Sequence, residues 1–217
     1  MGKGFYLALG TAGVGSLSVG GLVVLKSWKE PKITSSIKEK YSLSLLDISK
    51  DTDIWNKKYS SLSKYSPNHP TLKQALSKSK TSNVNEAKEL LKSGCLKIYE
   101  SDANDPNNLQ DFQSLCSRTN EDATKSNGGW IQDEISKSNT NKWDAALNKL
   151  KNHGTSDNWD LDETLRNLKQ AIQGSSNTFS EDNRSRLKAW CDAIKAAIFK
   201  GDKSEEFRSQ EAFCKSN

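Results

Sequence analysis

The stretch LKQAL at Leu72–Leu76 returns as LKQAI at Leu168–Ile172, and 19 residues beyond the end of each stands a cysteine, Cys95 and then Cys191. A constant offset of 96 carries Leu72–Cys95 onto Leu168–Cys191 without a gap, with Leu72, Lys73, Gln74, Ala75, Ser79, Leu91, Lys92 and Cys95 meeting identical residues. Upstream, Asp47-Ile48-Ser49-Lys50 matches Glu134-Ile135-Ser136-Lys137, and the run ending in Trp55 matches the run ending in Trp143. Between tryptophan and LKQA the second copy carries eight more residues, and Cys116 and Cys214 close the two copies. This shared order predicts a tandem duplication with copies spanning 44–118 and 130–217, joined by the polar linker 119–129.

Periodicity inside each copy is helical. From Trp55 to Tyr65, apolar residues fall at i, i+4, i+7 and i+10, and Pro70 or Thr71 opens the helix carrying LKQAL. Asn83 with Glu86 forms a capping pair before a helix that Gly94 is expected to end. In the second copy Asp160 and Glu163 frame a helix stopped by Gly174, and Ser180 caps a longer one stopped by Gly201. Alternation in Leu96-Lys-Ile-Tyr99 allows a short strand. Leu72/Leu168 and Leu76/Ile172 are expected to face inward, and Trp55 and Trp143 to anchor equivalent cores. Trp190 has no counterpart, since Gly94 stands at its place.

Ahead of the copies, Gly4–Leu25 runs 22 residues without a charge, and at about 1.5 Å per residue a helix of that length crosses a hydrocarbon core of roughly 30 Å. The segment reads as an uncleaved transmembrane anchor over residues 1–27, with a cleaved signal as the alternative. Residues 28–43 then form a stalk, and Trp28 suits the membrane interface. Ala8, Ala12, Ser16 and Gly20 make a small-residue face suited to self-association of membrane helices. The lysines after the span argue for a cytoplasmic carboxyl side, whereas the even cysteine count favours the bulk of the chain outside. The fold class expected is therefore mainly α: an N-terminal transmembrane helix followed by two tandem small helical repeat units.

The hydrophobic fraction is 34% and the net charge +5 comes from 32 basic and 27 acidic residues mixed along the chain. No like-charge block marks a nucleic-acid tail, so no nucleic-acid partner is expected. So lean a chain supports small helical cores, which often need staples. Four cysteines allow three pairings. Duplication favours Cys95–Cys116 and Cys191–Cys214, with buried free thiols as the alternative. Zinc is disfavoured because C-x-x-C is absent and His69 and His153 lie far from the cysteines. No phosphate loop, G-x-S-x-G or H-E-x-x-H occurs, so neither an enzyme nor a cofactor is expected. Asp102, Asn104, Asp105 and Asn107 depart from an EF-hand and read as turn and cap chemistry. Asp157, Asp160, Asp162 and Glu163 surround a helix start, where acids are at home.

The glycine-rich apolar start, the Lys/Asn/Ser-rich body, the D-T-D-x-W and N-T-N-x-W stretches and the run Leu187-Lys-Ala-Trp-Cys191 together resemble the large paralogous families of uncharacterised, membrane-anchored surface proteins of haemotropic mycoplasmas. The resemblance covers most of the chain loosely and carries over no catalytic residues. It implies display at the surface of a wall-less parasite, with adhesion to a host component or antigenic variation as the role. A structural, oligomer-forming membrane scaffold and an exported enzyme without a recognisable motif are the alternatives.

Overall fold

The computed structural model describes residues 35–81, 83–124, 129–137, 140–176 and 178–216. The expected anchor at 4–25, its small-residue stripe and Trp28 lie outside the described residues. Among those described, no helix is long and apolar enough to cross a membrane. The chain is mainly helical: α1 (Ile37–Lys40), α2 (Thr52–Leu62), α3 (Pro70–Ser79), α4 (Val84–Tyr99), α5 (Pro106–Asp111), α6 (Asn120–Ala123), α7 (Lys142–Asn152), α8 (Glu163–Ala171), α9 (Glu181–Ala196) and α10 (Glu205–Phe213). A π turn, Phe112–Cys116, extends α5. Two-residue strands β1 (Gly129–Trp130) and β2 (Lys215–Ser216) pair antiparallel.

Two hydrophobic clusters form. The first gathers Trp55 and Leu62 from α2, Leu72 from α3, Leu91, Cys95 and Ile98 from α4, and Phe112 and Leu115 after α5. The second gathers Trp143, Leu147 and Leu150 from α7, Leu165 and Leu168 from α8, Leu187, Trp190 and Cys191 from α9, and Phe213 from α10. Each cluster is thus built from four successive helical segments. Disulfides join Cys95 to Cys116 and Cys191 to Cys214, with Cα–Cα distances of 5.2 and 5.7 Å. Both tie the third segment to the end of the fourth, the pairing that the repeated spacing favours.

Polar contacts run in parallel. Trp55 Nε1 donates to the Asp47 carbonyl at 3.0 Å, and Trp143 Nε1 to the Asp133 carbonyl at 2.8 Å. By this contact the counterpart of Asp47 is Asp133, one residue before the Glu134 that letter matching selects. The residue after each tryptophan reaches the third segment at matching positions. Lys88 donates to Asn56 Oδ1 at 2.8 Å, and Arg184 grips both oxygens of Asp144 at 2.6 and 2.8 Å. Past the second cysteine, Ser117 bridges back to Leu45, and Lys215 pairs with Trp130.

Gly94 does not end a helix, and Leu96–Tyr99 is not a strand; α4 runs through both. The glycine is there for contact, since a Cβ on it would stand 2.6 Å from Leu72 Cδ2, in a core where Leu72 is fully buried. In the second cluster Trp190 occupies the equivalent place, and its Nε1 donates to Asp162 Oδ2 at 2.6 Å. Other helix limits also shift. Asn83 Nδ2 bonds the Glu86 carboxylate and neither side chain caps the backbone of α4. The cap of α8 is Asp162, whose Oδ1 accepts from Leu165 N at 2.8 Å, not Asp160. The helix ends at Ala171 and Ala196 precede Gly174 and Gly201. Ser180 caps α9 as expected, accepting from Asn183 N.

The described end of the expected stalk packs on the first cluster. Ile37 is fully buried, its N donates to Ser101 O at 2.9 Å, and Ala103 N donates to Ser35 O at 2.9 Å. A hydrophobic residue at position 37 outweighs the polar letters around it. The expected linker is likewise ordered over 119–124. Thr119 bridges to Ile198, Asn120 N donates to Ala197 O at 3.0 Å, and Asn120 Nδ2 to Ile194 O at 2.9 Å. Residues from Ile33 to Asn217 accordingly cluster as one compact unit.

Because Gly94 and Trp190 fill one structural position in opposite ways, each is intolerant of the other's size. Gly94→Leu is expected to lower unfolding free energy by about 1–3 kcal/mol through overpacking against Leu72. Trp190→Ala is expected to lower it by about 3–5 kcal/mol through a cavity and a lost hydrogen bond. Urea titrations of both variants measure this, and an unchanged midpoint in either refutes that packing role.

Candidate functional site

Of the eight extra residues between Trp143 and Leu168, two lengthen the end of α7, three lengthen the start of α8 and three fall in the connection between them. Asn152 ends α7, His153 and Gly154 follow, and a 3-10 turn covers Thr155–Asp157. Asn158 adopts the left-handed region at φ 59°, which a short amide side chain tolerates better than most. That reversal brings Trp159 back against the body, where Nε1 donates to Ser209 Oγ at 3.1 Å. Arg208 Nη1 donates to the Asn158 carbonyl at 2.8 Å, and Lys169 Nζ donates to the His153 carbonyl. Leu161 then plugs into the second cluster.

Held this way, Trp159 borders three adjoining concavities. One of about 570 Å³ lies between the loop, Arg166 and Lys169 of α8, and Glu205 of α10. A second of about 600 Å³ faces Asp202, Phe207, Arg208 and Glu211, and a third of about 330 Å³ reaches Lys149 and Phe213. His153 lines the first and third. Its ring meets Trp159 edge-on at 4.9 Å and Phe213 at 6.0 Å. The side chain is 7% exposed, and Nε2 has no hydrogen-bond partner. Asp157 Oδ2 stays 4.0 Å away, beyond hydrogen-bond range.

In the first cluster the corresponding connection is sealed instead. Asp111, fully buried, accepts from Tyr65 Oη and Asn68 N, each at 2.9 Å, and from His69 N at 2.7 Å. Burial, then that carboxylate, pushes the Tyr65 hydroxyl up to about 12. Asp111 and Ser209 both lie five residues before the closing cysteine, so one position holds the connection in both clusters: by an acid in one, by a hydroxyl on Trp159 in the other.

The residues singled out from sequence fall elsewhere. All four cysteines are buried in disulfides. Asp102 Oδ1 accepts from Asn104 N and Asp105 Oδ1 from Asn107 N and Asn108 N, which is turn and cap chemistry. Among the described residues, no group of three His, Cys, Asp or Glu side chains is placed to hold a metal ion. The acids near the α8 start do not converge: Asp162 caps the helix, Asp157 accepts from Gly154 N, and Asp160 borders the hollow. Sequence reading missed the hollow itself. Its signals were the eight extra residues between Trp143 and Leu168 and a tryptophan in that stretch. Comparison with protein-family models, curated proteins and solved structures found no match.

Both histidines are held below the ordinary imidazole range, chiefly by burial. For His153, Lys169 adds to the shift while Asp157 and Asp160 oppose it; for His69, Lys97 adds and Asp111 opposes. His69 Nδ1 also accepts from Thr71 N at 3.2 Å, a cap that protonation removes. An unfolded histidine takes its proton near pH ~6.5, so just below that pH the unfolded chain binds more protons. Stability contributed by the neutral rings is complete above that pH and falls as pH drops through the lowered folded values. Urea midpoints are therefore expected to be lower at pH 5.5 than at 7.5, and the difference to shrink in the His69→Gln/His153→Gln double variant. An undiminished difference in that variant assigns the effect to other groups.

Proposed function

We propose that this chain is a membrane-held recognition protein. An anchor at residues 4–25 carries two tandem copies of a four-segment helical unit outside the membrane, where they bind a host-surface component or serve as a variable antigen. The observation that carries this reading is the pair of buried disulfides, one within each cluster. Such bonds form and persist in oxidising surroundings and are rare in reducing cytosol. The duplication is supported by matching disulfides, matching indole-to-carbonyl bonds and matching bridges beside the tryptophans. The role is binding, and its chemistry is sought on the surface that the second copy adds. Self-association through Ala8, Ala12, Ser16 and Gly20 fits the same reading as a way to raise avidity.

Protease shaving of intact cells tests the arrangement. The reading expects fragments of 35–216 to leave the membrane while a cytoplasmic marker stays whole. A chain that resists protease until the cells are lysed overturns display.

A further inference from the structure

We infer that the hollow bordered by Trp159 is a saccharide-binding site for an uncharged sugar. The inference rests on the recognition role proposed above and names the ligand class for it. The hollow, about 570 Å³, has the size of small-molecule sites. Its wall is not built for an ion: the exposed carboxylates of Asp160 and Glu205 balance the cations of Arg166 and Lys169. A phosphate or sulfate would meet repulsion from the acids, and an ammonium from the bases. It is not built for a chain either. It offers no strand edge for an extended peptide, and its rim is too polar for an amphipathic helix.

A neutral sugar matches what is present. One face of a pyranose is aliphatic C–H and packs on an aromatic ring, while its hydroxyls both donate and accept. Trp159 supplies the ring, half-buried and fixed in orientation by its bond to Ser209 Oγ at 3.1 Å. Carboxylates accept from hydroxyls, and guanidinium and ammonium groups donate to them. His153 lines the wall as well, its ring edge-on to Trp159 at 4.9 Å, so a second aromatic ring helps hold the indole in place. The hollow lies at the connection from α7 to α8, so specificity arises there without disturbing either core.

The test uses the full chain in lipid nanodiscs on a printed array of neutral oligosaccharides, sulfated oligosaccharides and unrelated peptides, followed by titration of any hit. Binding of at least one neutral oligosaccharide is expected, lost in Trp159→Ala and retained in Trp130→Ala. Because Trp159 also packs, Asp160→Ala and Arg166→Ala serve as the second pair. Both residues are exposed, so thermal midpoints should hold while affinity falls about tenfold in each. No neutral oligosaccharide bound, binding indifferent to all three substitutions, or preference for sulfated sugars or peptides overturns the inference. Failure of the two proposals is separable. A protease-accessible chain blind to sugars defeats the saccharide site alone, and a protease-shielded chain that binds sugar through Trp159 defeats display alone.

Discussion

Each hydrophobic cluster depends on a covalent tie between its third helical segment and the end of its fourth. With only 34% hydrophobic residues, the chain buries little apolar surface for each helix it must order. Closing a loop of 21 or 23 residues contributes on the order of 3 kcal/mol, a large share of the stability of a small unit. The ties also sit beside close packing. Cys95 follows Gly94, whose missing side chain admits Leu72; Cys191 follows Trp190, whose indole reaches the cap of α8. Immediately past each closing cysteine the chain bonds back to the start of its own cluster, at Leu45 and at Trp130. A cross-link at that point therefore fixes the entry, the third segment and the exit together.

Around this frame the two clusters solve one problem with different side chains. Lys88 with Asn56 is a single charge-assisted contact, whereas Arg184 with Asp144 is a two-pronged pair. Arg184 also donates to the carbonyls of Ile135 and Lys137 at 2.9 and 3.0 Å. At the connection between the first two segments, Asp111 gathers backbone donors into a closed turn, while Ser209 holds only the edge of Trp159. The first arrangement leaves a sealed corner; the second leaves a loop with concave flanks. Proposed recognition thus resides where the clusters differ, and proposed architecture where they agree.

Much of this was legible in the letters, for reasons that can be named. Ser180, Pro70 and the spacing of Trp55, Tyr59 and Leu62 are local signals tied to one helical turn or period, and they lead to the right elements. The cysteine pairing was legible because a repeated spacing carries pairing information that four isolated cysteines lack. Gly94 misled because a glycine that serves close helix approach reads, locally, like one that ends a helix. Only the distance to Leu72, set by a different segment, separates the two. Ile37 and Asn120 misled in the opposite direction, since polar neighbours disguised one apolar anchor and one buried amide that bonds Ile194 across the chain. The hollow was half legible. Eight extra residues announced a difference, but the turn at Asn158 and the seat at Ser209 are tertiary facts.

The architecture depends most directly on each cluster carrying its own disulfide in the native protein. Thiols blocked before lysis, followed by proteolysis and mass mapping without reductant, measure this on the molecule as it stands in the cell. The expected result is two linked peptide pairs, Cys95 with Cys116 and Cys191 with Cys214. Alkylated free cysteines, or a link joining Cys95 or Cys116 to Cys191 or Cys214, would contradict both the stapled units and the oxidising location proposed for them.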